Sequence, residues 1–143
     1  MNEDRLIYLK NMIALRYEKL GVLKLEKNEK FEYKGDSDYL LVNLLLSELL
    51  LRKNNQSWGT YSSEYLTEWI QNSLKEVIFI DNFELLMNPA ISINLFELLR
   101  ELSKNKIIII IWRYKIEEEI LIYGKVGHVE YQKINFKDKL IIQ

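Results

Sequence analysis

The 143-residue chain has no cysteine, one histidine, one proline and five glycines. Without cysteine there is no disulfide framework, thiolate nucleophile or Cys-based zinc site, and a single histidine excludes a His-rich metal centre. The glycines stand at 21, 35, 59, 124 and 127. None of them opens a G-x-x-x-x-G-K-[ST] loop, in which backbone N–H groups wrap a triphosphate, a lysine reaches its outer phosphates and a hydroxyl meets magnesium. Gly124-Lys125-Val126 comes nearest and lies in the wrong part of the chain. An excess of one charge is also missing, with 20 Lys and Arg against 21 Asp and Glu. There is therefore no global pull toward nucleic acid or an anionic membrane. Met1-Asn2-Glu3-Asp4 is acidic where a signal peptide needs bases. Leu40 to Leu51 is too short to span a bilayer and is broken by Asn43, Ser47 and Glu48. The expectation is a cytoplasmic protein with no membrane contact.

What remains is a chain 48% hydrophobic, enough to bury a core and unlike a disordered composition. Its length suits one domain over 1–143. The organising stretch is Val77-Ile78-Phe79-Ile80-Asp81, an apolar run that ends on an acid, followed by Asn82 and Glu84. A second run, Ile107 to Trp112, ends on Arg113. Continuous apolar runs mark strands of a parallel sheet covered on both faces, and ligands of such sheets sit beyond the strands' carboxyl ends. The spacing predicts a helix over about 93–104 between the two runs, making a β-α-β unit.

Elsewhere the periodicity predicts a helix over 4–20 stopped by Gly21, then a two-stranded hairpin over 22–34. There Leu23, Leu25, Phe31 and Tyr33 alternate with charges. Gly35 to Asp38 reads as a polar turn, 39–43 as a buried strand and 44–52 as a helix. Lys53 to Tyr61 reads as a loop, with Ser62 or Ser63 capping the next helix. Asn88-Pro89 marks a turn. Beyond Glu117-Glu118-Glu119 the chain reads as short strands joined by turns.

An aspartate at the tip of a buried strand is placed to hold the magnesium of a nucleotide, as a Walker B strand does. Asp81 is the metal candidate. Asn82, Glu84 and Arg113 complete a nucleotide-binding set, with Arg113 either a phosphate sensor or the charge partner of Asp81 or Glu84. Against this, Asn82 stands where a hydrolytic enzyme needs a glutamate. Asp81 and Asn82 also suit a strand end that caps the following turn. His128 has no nucleophile or second base beside it and reads as structural or surface. Trp112 reads as a core aromatic. Lys24, Lys27 and Lys30, interleaved with Phe31 and Tyr33, form a nucleic-acid candidate, weakened by the acids Glu26, Glu29 and Glu32 among them.

The later segments form an ordered set: Tyr39 to Leu50 (YLLVNLLLSELL), Val77 to Leu86 (VIFIDNFELL), Leu98 to Asn105 (LLRELSKN), Trp112, Tyr123-Gly124, and Gly127 to Tyr131 (GHVEY). Over about residues 39–131 this set resembles BrxF, the small P-loop protein of type 3 BREX phage-defence systems. The resemblance implies an α/β, P-loop NTPase-like three-layer sandwich with a mainly parallel sheet and a β-rich C-terminal end. It implies a bacterial, antiviral setting, with other defence-system proteins as partners, DNA met indirectly and homo-oligomers allowed. ATP and magnesium are the cofactors open to such a fold, neither of them assigned to this chain, and the family's Asp-Asn-x-Glu pattern falls on Asp81, Asn82 and Glu84. The chain departs from the family over Val22 to Asp38, where the phosphate loop and its helix belong.

Three expectations follow. The first is a catalytically silent protein that binds partners in a BREX-like assembly. The second is an NTPase whose phosphate loop comes from another subunit, and the third a nucleic-acid-binding module.

Overall fold

Two uninterrupted apolar runs need cover on both sides, and a parallel sheet supplies it. The computed structural model describes residues 3–136 and 140–142. The expected extent of 1–143 therefore reaches residues 1, 2, 137–139 and 143, which lie outside that set. Helix α1 (Glu3–Ala14) leads into β1 (Leu20–Lys24). After a helix-free connection come β2 (Ser37–Leu41), α2 (Val42–Leu51), α3 (Trp58–Asn72) and β3 (Val77–Asp81). Then follow α4 (Leu95–Leu102), β4 (Ile107–Trp112), β5 (Lys115–Glu117), β6 (Ile120–Tyr123), β7 (Gln132–Asn135) and β8 (Leu140–Ile142).

The main sheet has the order β2-β3-β4-β1-β8, and all its pairings are parallel. A small antiparallel sheet, β5-β6-β7, stands apart from it. The two isoleucine-rich runs are neighbours, with Val77 opposite Ile107 and Ile80 opposite Ile110. Successive residues of these strands feed opposite faces. Ile78, Ile80, Ile108, Ile110 and Trp112 pack with α2, α3, α4 and the small sheet. Val77, Phe79, Ile109 and Ile111 pack with Leu6, Leu9 and Ile13 of α1. Trp112 is fully buried, with its indole N–H donated to the Lys115 carbonyl at 3.0 Å, so it is a core residue.

The N-terminal third departs from the sequence expectation. There is no hairpin over 22–34. Leu20 to Leu23 form a buried strand inside the parallel sheet, and Gly21 lies within that strand beneath Ile13 instead of ending a helix. The alternation farther on is real but has no partner strand. Residues 25–36 run as irregular chain along the α1 face, with Phe31 and Tyr33 both turned down onto the Phe79 ring at centroid distances of 4.6 and 5.2 Å. Of the turn expected at 35–38, Gly35 and Asp36 form a bend, and Ser37 and Asp38 are taken into β2. The loop expected over 53–61 is mostly helical, so Ser62 is buried within α3 and caps nothing. The carbonyl of Ile91 crowds Gly59 near the start of α3, where no Cβ would fit. No described helix is long and apolar enough to cross a membrane.

Candidate functional site at the strand tips

β1 passes to β2 at one edge, whereas β4 passes to β8 at the other, so the connections diverge at the carboxyl ends of β1 and β4. That is where ligands gather in open parallel sheets. A cleft of about 480 Å³ opens there, lined among others by Lys27, Lys30, Phe31, Tyr39, Asp81 and Arg113.

Asp81 is 1% exposed, and the protein fills its acceptor positions. Arg113 grips it as a fork, Nε to Oδ1 at 3.1 Å and Nη2 to Oδ2 at 2.9 Å. The Asn82 N–H donates to Oδ1 at 2.8 Å, and the Tyr39 hydroxyl donates to Oδ2. A carboxylate offers about four lone-pair positions, and here four donors occupy them. The site as folded does not fit a magnesium ion on Asp81. Asn82 adopts φ +47°, a left-handed conformation that asparagine tolerates, and so turns the chain away from the strand.

Arg113 also determines which way the connection after β1 faces. Its Nη1 donates to the carbonyls of Glu26 and Glu29 at 2.9 and 2.6 Å. A phosphate cradle points N–H groups inward at an anion. This loop points carbonyls inward at a guanidinium.

Glu84 is satisfied separately. Tyr114 donates to its Oε1 at 2.6 Å and Asn43 Nδ2 to its Oε2 at 2.8 Å, while Asn43 Oδ1 accepts the Leu85 N–H at 2.8 Å. The Asn43 N–H donates to the Asn82 carbonyl at 2.7 Å, tying the start of α2 to the tip of β3. Among the described residues no cluster of three or more His, Cys, Asp or Glu is arranged to hold a metal.

The electrostatics agree with the geometry. Burial pushes the Asp81 carboxyl up, but the hydrogen bonds from Arg113, Tyr39 and the Asn82 amide outweigh it and hold the group below its ordinary value. The hydrogen bond to Asp81 raises Arg113. Desolvation, followed by the hydrogen bond to Asp81, pushes the Tyr39 phenol up to about 12. Burial, followed by the bond to Glu84, raises Tyr114. For Asp81 these are the marks of a carboxylate held in its charged form by a closed ionic network.

The structure thus gathers Asp81, Asn82, Glu84 and Arg113 at one end of the sheet, and of Arg113's alternatives it shows the charge partner of Asp81. Of the nucleic-acid set, it brings Lys27, Lys30 and Phe31 to the same cleft, while Lys24 and Tyr33 are not among its lining. Lys27 and Lys30 are exposed at the cleft, Lys24 donates to the Leu25 carbonyl at 3.0 Å, and Phe31 and Tyr33 pack on Phe79. His128 is exposed on the β6–β7 loop. Tyr39, Asn43 and Tyr114 were missed as members of the network. Tyr114 adjoins Arg113 and was within reach of sequence reasoning, whereas Tyr39 and Asn43 meet their acids only through the fold. Comparison with protein-family models, with curated proteins and with solved structures found no match.

Proposed function

We propose that this chain is a non-hydrolysing, P-loop NTPase-like protein of the bacterial cytoplasm that binds partner proteins in a BREX-like antiphage defence assembly. One observation carries the silent part of this reading: Arg113 occupies Asp81 and draws loop carbonyls into the space where a triphosphate would need amides. The ordered segments from Tyr39 to Tyr131 support the defence setting. The parallel sheet with an acid at the tip of β3 supports the scaffold.

Isothermal titration of the chain with Mg-ATP and with a slowly hydrolysed analogue is expected to give no binding heat. Micromolar binding accompanied by turnover would overturn the proposal. A second reading, a nucleotide site shared with another subunit, is favoured only by the open cleft with Lys27 and Lys30 at its rim. It requires Arg113 to leave Asp81, and turnover appearing only on mixing with a partner would select it.

A further inference from the structure

Strand β7 is an edge of the small sheet, paired with β6 on one side only. The Phe136 N–H donates to the Glu119 carbonyl at 2.9 Å, which sets the phase of that antiparallel ladder. Bonded pairs alternate with unbonded ones. Gln132 and Ile134 therefore direct their backbone groups at β6, and Lys133 and Asn135 turn theirs outward. The Asn135 carbonyl agrees with this phase, since it accepts Arg100 Nη2 of α4 at 3.2 Å. Between the outward edge and α4 lies a cleft of about 410 Å³, with Ile93, Phe96 and Ile134 in its lining. Arg100 and Lys133 are the charges of that lining, which contains no acid. Among the described residues no carboxylate pairs with Arg100, and its buried Nε has no acceptor.

We propose that this groove takes an extended, acidic peptide segment of a partner protein, added to the small sheet beside β7. In strand addition the backbone supplies affinity, and pockets for alternate side chains supply choice. The Lys133 N–H and C=O are the backbone contact. One inward side chain of the added strand packs on Ile93, Phe96 and Ile134. The next inward one, an Asp or Glu, offers its two oxygens to the Arg100 guanidinium. The charges also select against a second copy of this chain as the occupant. Pairing β7 with itself would put the same two cations on both sides of the contact, and like charges across neighbouring strands repel. This inference does not rest on the functional proposal, because none of these residues belongs to the network around Asp81.

The test begins by selecting, on the full chain, from a displayed library of random peptides about ten residues long, enough for one strand and its flanks. The enriched peptide is then synthesised and titrated by fluorescence anisotropy. Enriched sequences are expected to share an Asp or Glu, with apolar residues at alternate positions. Binding is expected to slow hydrogen exchange at the Lys133 amide, read by NMR on the native chain without any variant. Arg100→Gln should weaken binding about tenfold or more, since it removes a charged hydrogen-bond partner. Lys133→Pro deletes an outward N–H and leaves the β6 ladder intact, so it should fold and fail to bind. Lys133→Gln, which keeps that N–H, should lose less. A selection that enriches no acidic peptide overturns the proposal. So does a Lys133 amide that exchanges equally fast with the peptide bound, or full affinity in folded Arg100→Gln or Lys133→Pro.

Discussion

The two faces of the main sheet are finished by different means. One is covered by α2, α3, α4 and the small sheet, joined in a continuous apolar cluster that includes Leu46, Leu66, Leu99, Trp112 and Phe136. The other is covered by α1 and by the helix-free segment 25–36, which an ionic network fastens at the strand tips. Parallel strands are usually joined through a helix, because a helix satisfies its own backbone while covering the sheet. Without one, the β1–β2 connection borrows donors from elsewhere, and Arg113 supplies two of them. The first face depends on area, the second on the pairing of one buried charge with another.

The sharpest way to break this contrast is Asp81→Ala. It leaves the Arg113 guanidinium without its counter-ion, and loss of one member of a buried pair costs about 3–5 kcal/mol. Urea unfolding should report that loss, and hydrogen exchange should show 25–36 opening while α2 to α4 stay protected. Uniform loss of protection over both faces would remove the distinction.

A smaller effect is expected from Tyr39→Phe, which deletes one hydrogen bond to an ionised carboxylate, worth about 1.5 kcal/mol. Its pH signature is specific. The folded phenol titrates near 12, above the unfolded value of about 10. Stability from this group is complete below pH 10 and falls as pH rises toward 12, because the folded state there holds the proton that the unfolded state has lost. Urea midpoints for the native chain should show that decline, and for Tyr39→Phe a flatter one.

On the other face, Ile110→Val removes one buried methylene group and should cost about 1 kcal/mol. Its unfolding should be global, with no selective release of 25–36. The acidic limb sharpens the contrast again. The Asp81 carboxyl is held below its ordinary value when folded, so its contribution is present above the unfolded pKa of about 3.9 and is lost as pH falls through the folded value. The native chain should lose stability there more steeply than Asp81→Asn.

How far the fold could be read from sequence follows the same division. β3 and β4 were plain because both their faces are covered, which writes an unbroken apolar run. β1 was hidden. It is five residues long, contains Gly21, and follows a helix whose apolar spacing runs on into it. Charges alternating after Leu23 then imitated a hairpin, when the alternation recorded only an extended chain with two rings turned down onto Phe79. β2 is an edge strand, only partly buried, and opens on Ser37 and Asp38, which read as a turn, whereas Tyr39 to Leu41 read as a strand. At the strand tips, Asp81 was visible as an acid closing an apolar run. The use to which it is put depends on Arg113 and Tyr39, which are far from it in sequence and near it only after folding.

β1 is the earliest strand in chain order and lies between two late ones: Leu20 pairs with Ile108, and Gly21 with Leu140. A nascent chain leaving the ribosome therefore carries this strand with both edges bare until most of the polypeptide has been made. Bare edges invite pairing with neighbouring chains. A chain interrupted before Ile107 would be left with an interior strand unmatched on both sides, an order of synthesis that exposes β1 to such pairing for longer than any other strand of the sheet.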